Sequence, residues 1–544
     1  MQLEDLSFNP LDPWFDVPGV RGLKFAIQVF TLSNVYGLDP ARTNHNEADG
    51  EFDLKCDQLS WGGQQFRSPG EVSAVVRRES SGAVSWKISA KHSEPIKVIK
   101  LMLRGLSTGA LQEGLWLATS EKSEVYVPTP EKPFKTIYPH GAQCVTPWIA
   151  AGKDGSGFSV SVRNTALRPV RLVALCQPYF DQEVVLEVIT EQDARNFGPE
   201  FTAPEIRFKL ADTEGALAAD FHEHMAHQEK TFGLPSWERR TDVPEWGRDI
   251  KLVLNLHGQH WTGHVFNTFD TMADALSFVT QHIPGKHVLA YLAGWEGRYY
   301  FQYPVYGPGK DMGGEEGFRR LCARASELGV KLMPMFGANG VNAQLYPEWR
   351  RSHFRDRTGR REVMINMPDW DGDREGDDDQ LFMNPGEPHW RSHLLDQIVR
   401  TVEQYDLDVI YLDTSAAWFN DPNWNVIEGY ELIKKDLHAR FPHLMLVGEG
   451  FFDVMWKIFP FNQTWLGLGK TFRFPEVVSR YGRAIPYLAV GTPGPGSCGV
   501  HEWGWRPGDL PSPAEGHVTS IGIVTDTIRN HGAEVARRCR ETMR

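Results

Sequence analysis

The sequence has little that would bind metal or tie the chain together covalently. Six cysteines, Cys56, Cys144, Cys176, Cys322, Cys498 and Cys539, are spread over 544 residues with no Cys-x-x-Cys pair. That spacing offers neither a zinc site nor a disulfide scaffold, so no metal and no cofactor are expected. Long apolar runs are also missing: none reaches the roughly 18 residues that a membrane span needs. Basic clusters are absent too. Lys and Arg number 57 against 70 Asp and Glu, a net charge of -13. Such a surface repels nucleic-acid phosphate and anionic lipid, so neither is an expected partner. The start, MQLEDLSFNPLDPWF, has no basic segment followed by an apolar one, and a cytoplasmic protein is expected. No GxxxxGK[ST] phosphate loop occurs.

What is abundant is aromatic. Phe, Trp and Tyr make up 12% of the chain, including 18 Trp. Indole rings fill large cores, and they also pack against the apolar face of a sugar ring. The length suits two or three domains.

The chain changes rhythm once. Residues 1–233 read as a β-sandwich domain with a connecting helix at its end. Runs such as LKFAIQVFTL (23–32), AVSWKISAKH (83–92) and IKVIKLMLRG (96–105) are alternating or β-branched and separated by turn residues. The segment 213–233 has a helical pattern stopped by Gly233 and Pro235. Residues 234–249 read as a linker. From 250 to 544, apolar runs alternate with amphipathic helices, the pattern of a (β/α)8 TIM barrel. Strands are expected at 251–257, 287–295, 330–337, 407–415 and 444–450, with three weaker ones near 470–474, 485–491 and 518–524.

Barrel enzymes carry their chemistry at the C-terminal ends of the strands. Two runs end in an isolated acid: VIYLDTS in Asp413 and LMLVGEG in Glu449. Neighbouring strands lie about 4.8 Å apart. Acids on successive strand ends therefore reach the roughly 5–5.5 Å spacing of a retaining glycosidase. Asp413 is assigned as nucleophile and Glu449 as general acid/base. The structural alternative makes each a helix cap or an ion-pair partner.

The YLDTS and VGEG motifs and the domain order resemble retaining α-glycoside hydrolases of the α-amylase-like barrel type. They are most similar to the endo-α-N-acetylgalactosaminidases and their relatives, which place a β-sandwich before the barrel. The resemblance implies a glycoside hydrolase acting on an α-linked sugar, with an oligosaccharide or glycoside as its partner. One departure is plain: where the α-amylase type has a His-Asp pair after strand seven, GVHEWGW offers His501 and Glu502. Two other readings stay open, an inverting glycosidase on the same barrel and a non-catalytic carbohydrate-binding protein.

Further residues are candidates to bind sugar. His257, His260 and Trp261 stand in NLHGQHWTGH, whose three His do not have the i, i+4 spacing of a helical zinc pair. Trp295 opens an aromatic-rich second loop that also holds Glu296, and Asn339 follows the third strand. Trp418 and Trp456 follow the two acid-bearing strands. The run MPDWDGDREGDDDQ begins like a calcium loop, but Arg374 stands at the sixth position and Gln380 at the twelfth.

Overall fold

The computed structural model describes residues 13–543 except 49, 108–114, 117–124, 127–128, 130, 140–143, 154–155, 177–182, 261–262, 298–300, 355–362, 365–379, 451, 465–473, 487–514 and 525. Two compact units result, one of residues 1–234 with 452–454 and 469–474, the other holding the rest.

In the first unit the strands are antiparallel. Lys24–Thr31, Ile96–Ser107, Glu183–Glu191, Val170–Cys176 and Phe134–Tyr138 pair side by side in that order. Thr43–Ala48, Glu51–Trp61, Phe66–Arg78, Val84–His92, Glu205–Ala211, Ser156–Arg163 and Trp148–Lys153 form a second run. Phe25 of the first run meets Phe52 and Trp86 of the second at ring separations of 5.7 and 6.1 Å. Alternate residues thus fill one core between two sheets, a β-sandwich. Helix α1 (Glu214–Phe232) lies against it. Its start is capped by the Thr213 side chain, and Gly233, at φ 66°, takes the left-handed turn that ends it. Asp220 of α1 accepts bonds from the Trp148 indole (2.9 Å) and the Ser159 hydroxyl (2.7 Å).

The second unit contains β1 (Leu252–Leu256), β2 (Val288–Leu292), β3 (Lys331–Gly337), β4 (Val409–Asp413), β5 (Met445–Glu449), β6 (Phe461–Thr464), β7 (Arg483–Pro486) and β8 (Thr519–Ile523). All neighbours are parallel, in the order β7-β6-β5-β4-β3-β2-β1-β8. The barrel closes at Ala484, which accepts from the Val518 amide and donates to Gly516, both at 2.9 Å. Helices α2 (Phe269–Val279), α3 (Gly314–Leu328), α4 (Pro388–Tyr405), α5 (Val426–Arg440), α6 (Phe474–Tyr481) and α7 (Thr527–Glu541) follow β1, β2, β3, β4, β6 and β8. β5 is followed instead by a short 3-10 turn, Asp453–Lys457.

That missing helix corrects the expected sixth strand. Residues 470–474 are not β6: Phe474 starts α6, and 470–473 lie outside the described residues. The strand is Phe461–Thr464, whose sequence FNQT is too short and polar to stand out. β7 begins two residues before the expected 485, and 487–491 lie outside the described residues.

Inside the barrel, Tyr291 of β2 and Tyr411 of β4 pack with ring centres 4.5 Å apart. The Tyr411 hydroxyl donates to Gln463 Oε1 of β6 at 2.5 Å. Even-numbered strands thus share one interior layer. Because strand side chains alternate, Asp413, two residues beyond Tyr411, points inward above it.

Candidate active site

Asp413 is the last residue of β4 and is fully buried. Glu449 ends β5 and is half-buried. The two carboxylates are tied together through one residue: the Thr414 amide, next in chain to Asp413, donates to Glu449 Oε2 at 2.6 Å. The Glu449 backbone is fixed to the same turn, because its amide donates to Ser415 Oγ at 2.8 Å and its carbonyl accepts from that hydroxyl at 3.1 Å.

Thr414 makes this geometry at a cost. Its φ is 55°, a left-handed conformation that a β-branched residue rarely adopts. Asn339 holds it there: Asn339 Nδ2 donates to the Thr414 carbonyl at 3.1 Å, and the Thr414 hydroxyl donates to Asn339 Oδ1. Strain of this kind collects at functional sites. Both ends of the Asn339 amide thus engage Thr414, so Asn339 fixes the turn that joins the two acids.

A second wall comes from the loop after β2. Tyr306 donates to the Gly337 carbonyl (3.1 Å) and accepts from its amide (2.9 Å). Gly337 pairs with Asp413 across the β3–β4 ladder. A Cβ at Gly337 would stand 2.2 Å from the Tyr303 ring, so glycine is what lets that ring lie over the strand end. Glu296, in the same loop, is 3% exposed, and neither of its oxygens has a hydrogen-bond partner among the described residues. Burial pushes its carboxyl up to about 8, and among the described residues only its own backbone amide opposes this. The charges of Glu296 and Asp413 both hold the Tyr306 phenol protonated, after burial itself, so the three groups converge.

In the sequence Glu296 stands only as a member of the aromatic second loop, and the two tyrosines only as part of its aromatic content. A signal for Glu296 was present: it is the first acid after the apolar run HVLAYLAGW, the pattern that marked Asp413 and Glu449.

The remaining candidates separate. His257, just past β1, and His260 are buried, with ring centres 5.9 Å apart, and both contact Phe266. Trp418 is half-buried in the segment after Thr414. Trp295 is not a sugar-facing wall. It is fully buried, donates to the Met335 carbonyl at 2.8 Å and packs on Phe318 of α3 and Phe336 of β3. Trp456 is also corrected. After β5 the chain turns back along the barrel, and the indole packs on Gly482, next to the start of β7. It therefore lies at the end of the strands opposite to Asp413. Trp261, His501, Glu502 and the acidic run 369–379 lie outside the described residues. Among the described residues, no three His, Cys, Asp or Glu side chains gather where they could hold a metal.

No protein-family model matches the chain, and no curated protein matches it in sequence. Solved structures do match in fold. The α-N-acetylgalactosaminidase NagBb from Bifidobacterium bifidum, ligand-free, is 12% identical with a TM-score of 0.58, over 83% of this chain and 79% of that one. The same enzyme in its GalNAc complex gives 13% and 0.59, over 81% and 74%. At such identity the likeness is one of fold: a parallel eight-stranded barrel combined with antiparallel sheets.

Proposed function

We propose that the protein is a retaining glycoside hydrolase that cleaves an α-linked sugar, with Asp413 as nucleophile and Glu449 as general acid/base. The observation that carries this is the pair of acids on adjacent strand ends, joined by the 2.6 Å bond from the Thr414 amide to Glu449 Oε2. Adjacency favours the short carboxylate spacing, roughly 5–5.5 Å, of double displacement over the roughly 6.5–9.5 Å that an inverting enzyme needs for its water.

The roles follow from environment. Asp413 is enclosed and suited to attack the anomeric carbon directly. Glu449 is partly open, so it can exchange protons with leaving group and water. The Thr414 amide donates to Oε2 and fixes the orientation of the carboxyl. In the first step an Asp413 oxygen bonds to the anomeric carbon, the bond to the leaving oxygen breaks, and Glu449 protonates that oxygen. In the second, Glu449 takes a proton from water, the water oxygen attacks the same carbon, and the bond to Asp413 breaks. Two inversions leave the configuration unchanged.

The GalNAc complex of the fold neighbour guides the choice of substrates. Among nitrophenyl α- and β-galactosides, glucosides, N-acetylgalactosaminides and N-acetylglucosaminides, release is expected from at least one α-glycoside and from no β-glycoside. Release only from β-glycosides, or from none, contradicts the proposal.

A further inference from the structure

A buried carboxyl without a hydrogen-bond partner costs the fold several kcal/mol by general transfer data, and native structures keep few of them. Glu296 is such a group: 3% exposed, with neither oxygen bonded among the described residues. The obvious neighbour does not relieve it. The Tyr306 hydroxyl already donates to the Gly337 carbonyl and accepts from the Gly337 amide. Among the described residues no Lys, Arg or His acts on the carboxyl, which burial raises and its own amide lowers.

Location says what could complete it. Glu296 lies in the turn after β2, on the face of the barrel where β4 and β5 end in Asp413 and Glu449. Tyr306 feels the charge of both Glu296 and Asp413, so one interior holds all three. Glu296 and Asp413 are enclosed alike, at 3% and 0% exposed. Tyr306 is bonded to Gly337, which pairs with Asp413 across the β3–β4 ladder, so the loop that carries Glu296 lies beside the strand end a sugar ring must reach.

We propose that Glu296 is a substrate-recognition residue whose carboxyl hydrogen-bonds an oxygen-bearing substituent of the sugar ring that Asp413 attacks. The inference rests on the glycosidase reading. Held neutral at working pH, the acid offers one O–H donor and one carbonyl acceptor, which complement a ring hydroxyl that accepts and donates in turn. A site built around such a bond discriminates strongly against a ring that lacks the group or points it elsewhere.

The test compares kcat/KM between nitrophenyl glycosides differing at one ring position. The pairs are α-galactoside with α-glucoside, and α-galactoside with α-N-acetylgalactosaminide. Wild type, Glu296→Gln, Glu296→Ala and Asp413→Asn are assayed after circular dichroism confirms folding. The wild type is expected to prefer one member of a pair by at least about tenfold, and the Ala variant to lose most of that preference through a raised KM. A merely structural role would lower both members equally. The isosteric Gln variant carries the test if Ala fails to fold. Selectivity unchanged within twofold in a folded Glu296 variant, with Asp413→Asn inactive, overturns the proposal and leaves the glycosidase reading standing. A wild type indifferent to both changes overturns it as well. A wild type that hydrolyses nothing removes the glycosidase reading and this inference with it.

Discussion

Asp413→Asn is expected to lower kcat/KM on the best nitrophenyl α-glycoside by at least about 10³-fold while leaving the fold intact. The amide is nearly isosteric with the carboxyl, so the layer of Tyr291, Tyr411 and Gln463 beneath it is undisturbed. It cannot form the glycosyl ester, and no other acid ends β4. Glu449→Ala should behave differently. A leaving group that departs as a stable anion needs no proton, so a dinitrophenyl glycoside should still show a burst of phenol release. An alkyl glycoside should lose about 10²- to 10⁴-fold. Steady-state and burst kinetics on substrates of graded leaving-group acidity separate the two roles. Equal losses across the series for Glu449→Ala contradict its part as proton donor, and a burst in Asp413→Asn contradicts its part as nucleophile.

The second large effect is on stability. Burial raises the Glu296 carboxyl from its ordinary 4.5 to about 8. Between those values the folded protein keeps a proton that the unfolded chain releases. The unfolded state thus gains about 1.4 kcal/mol per pH unit, and the native state loses about 3 kcal/mol of stability by pH 7 relative to acid conditions. Stability from this group is therefore full below 4.5 and is lost as pH rises towards 8. Glu296→Gln never ionises and escapes the loss. Its advantage over wild type should widen from about pH 5 to about pH 8 and stay level above. Denaturant unfolding of both proteins across that range checks it, and an advantage independent of pH contradicts a buried neutral acid. A stabilised variant with poorer substrate selection is the usual exchange at a functional site.

The sequence makes part of this site legible because β4 and β5 are apolar runs stopped by one acid each. That pattern has a single physical meaning in a barrel wall: the acid is the first polar group at the rim. The same logic reaches Glu296, which directly follows the run HVLAYLAGW, yet its loop also holds Arg298, Lys310 and Asp311, which blur the pattern. Trp295 and Trp456 show what local composition hides. Whether a loop rises over the mouth or folds back along the barrel depends on what it packs against. Trp295 finds Phe318 and Phe336, and Trp456 finds Gly482. Asn339 has the amide a sugar site would use, but its partner is the strained Thr414, and strain has no signature in composition. β6 was hidden because FNQT carries no period and no helix precedes it.

The account stands on Asp413 taking the sugar covalently, and the first-formed anomer reports that most directly. Proton NMR of the fresh hydrolysate from the best α-glycoside, recorded before mutarotation, should show the α-anomer leading. A β-anomer formed first would mean a single displacement by water, and would contradict Asp413 as nucleophile.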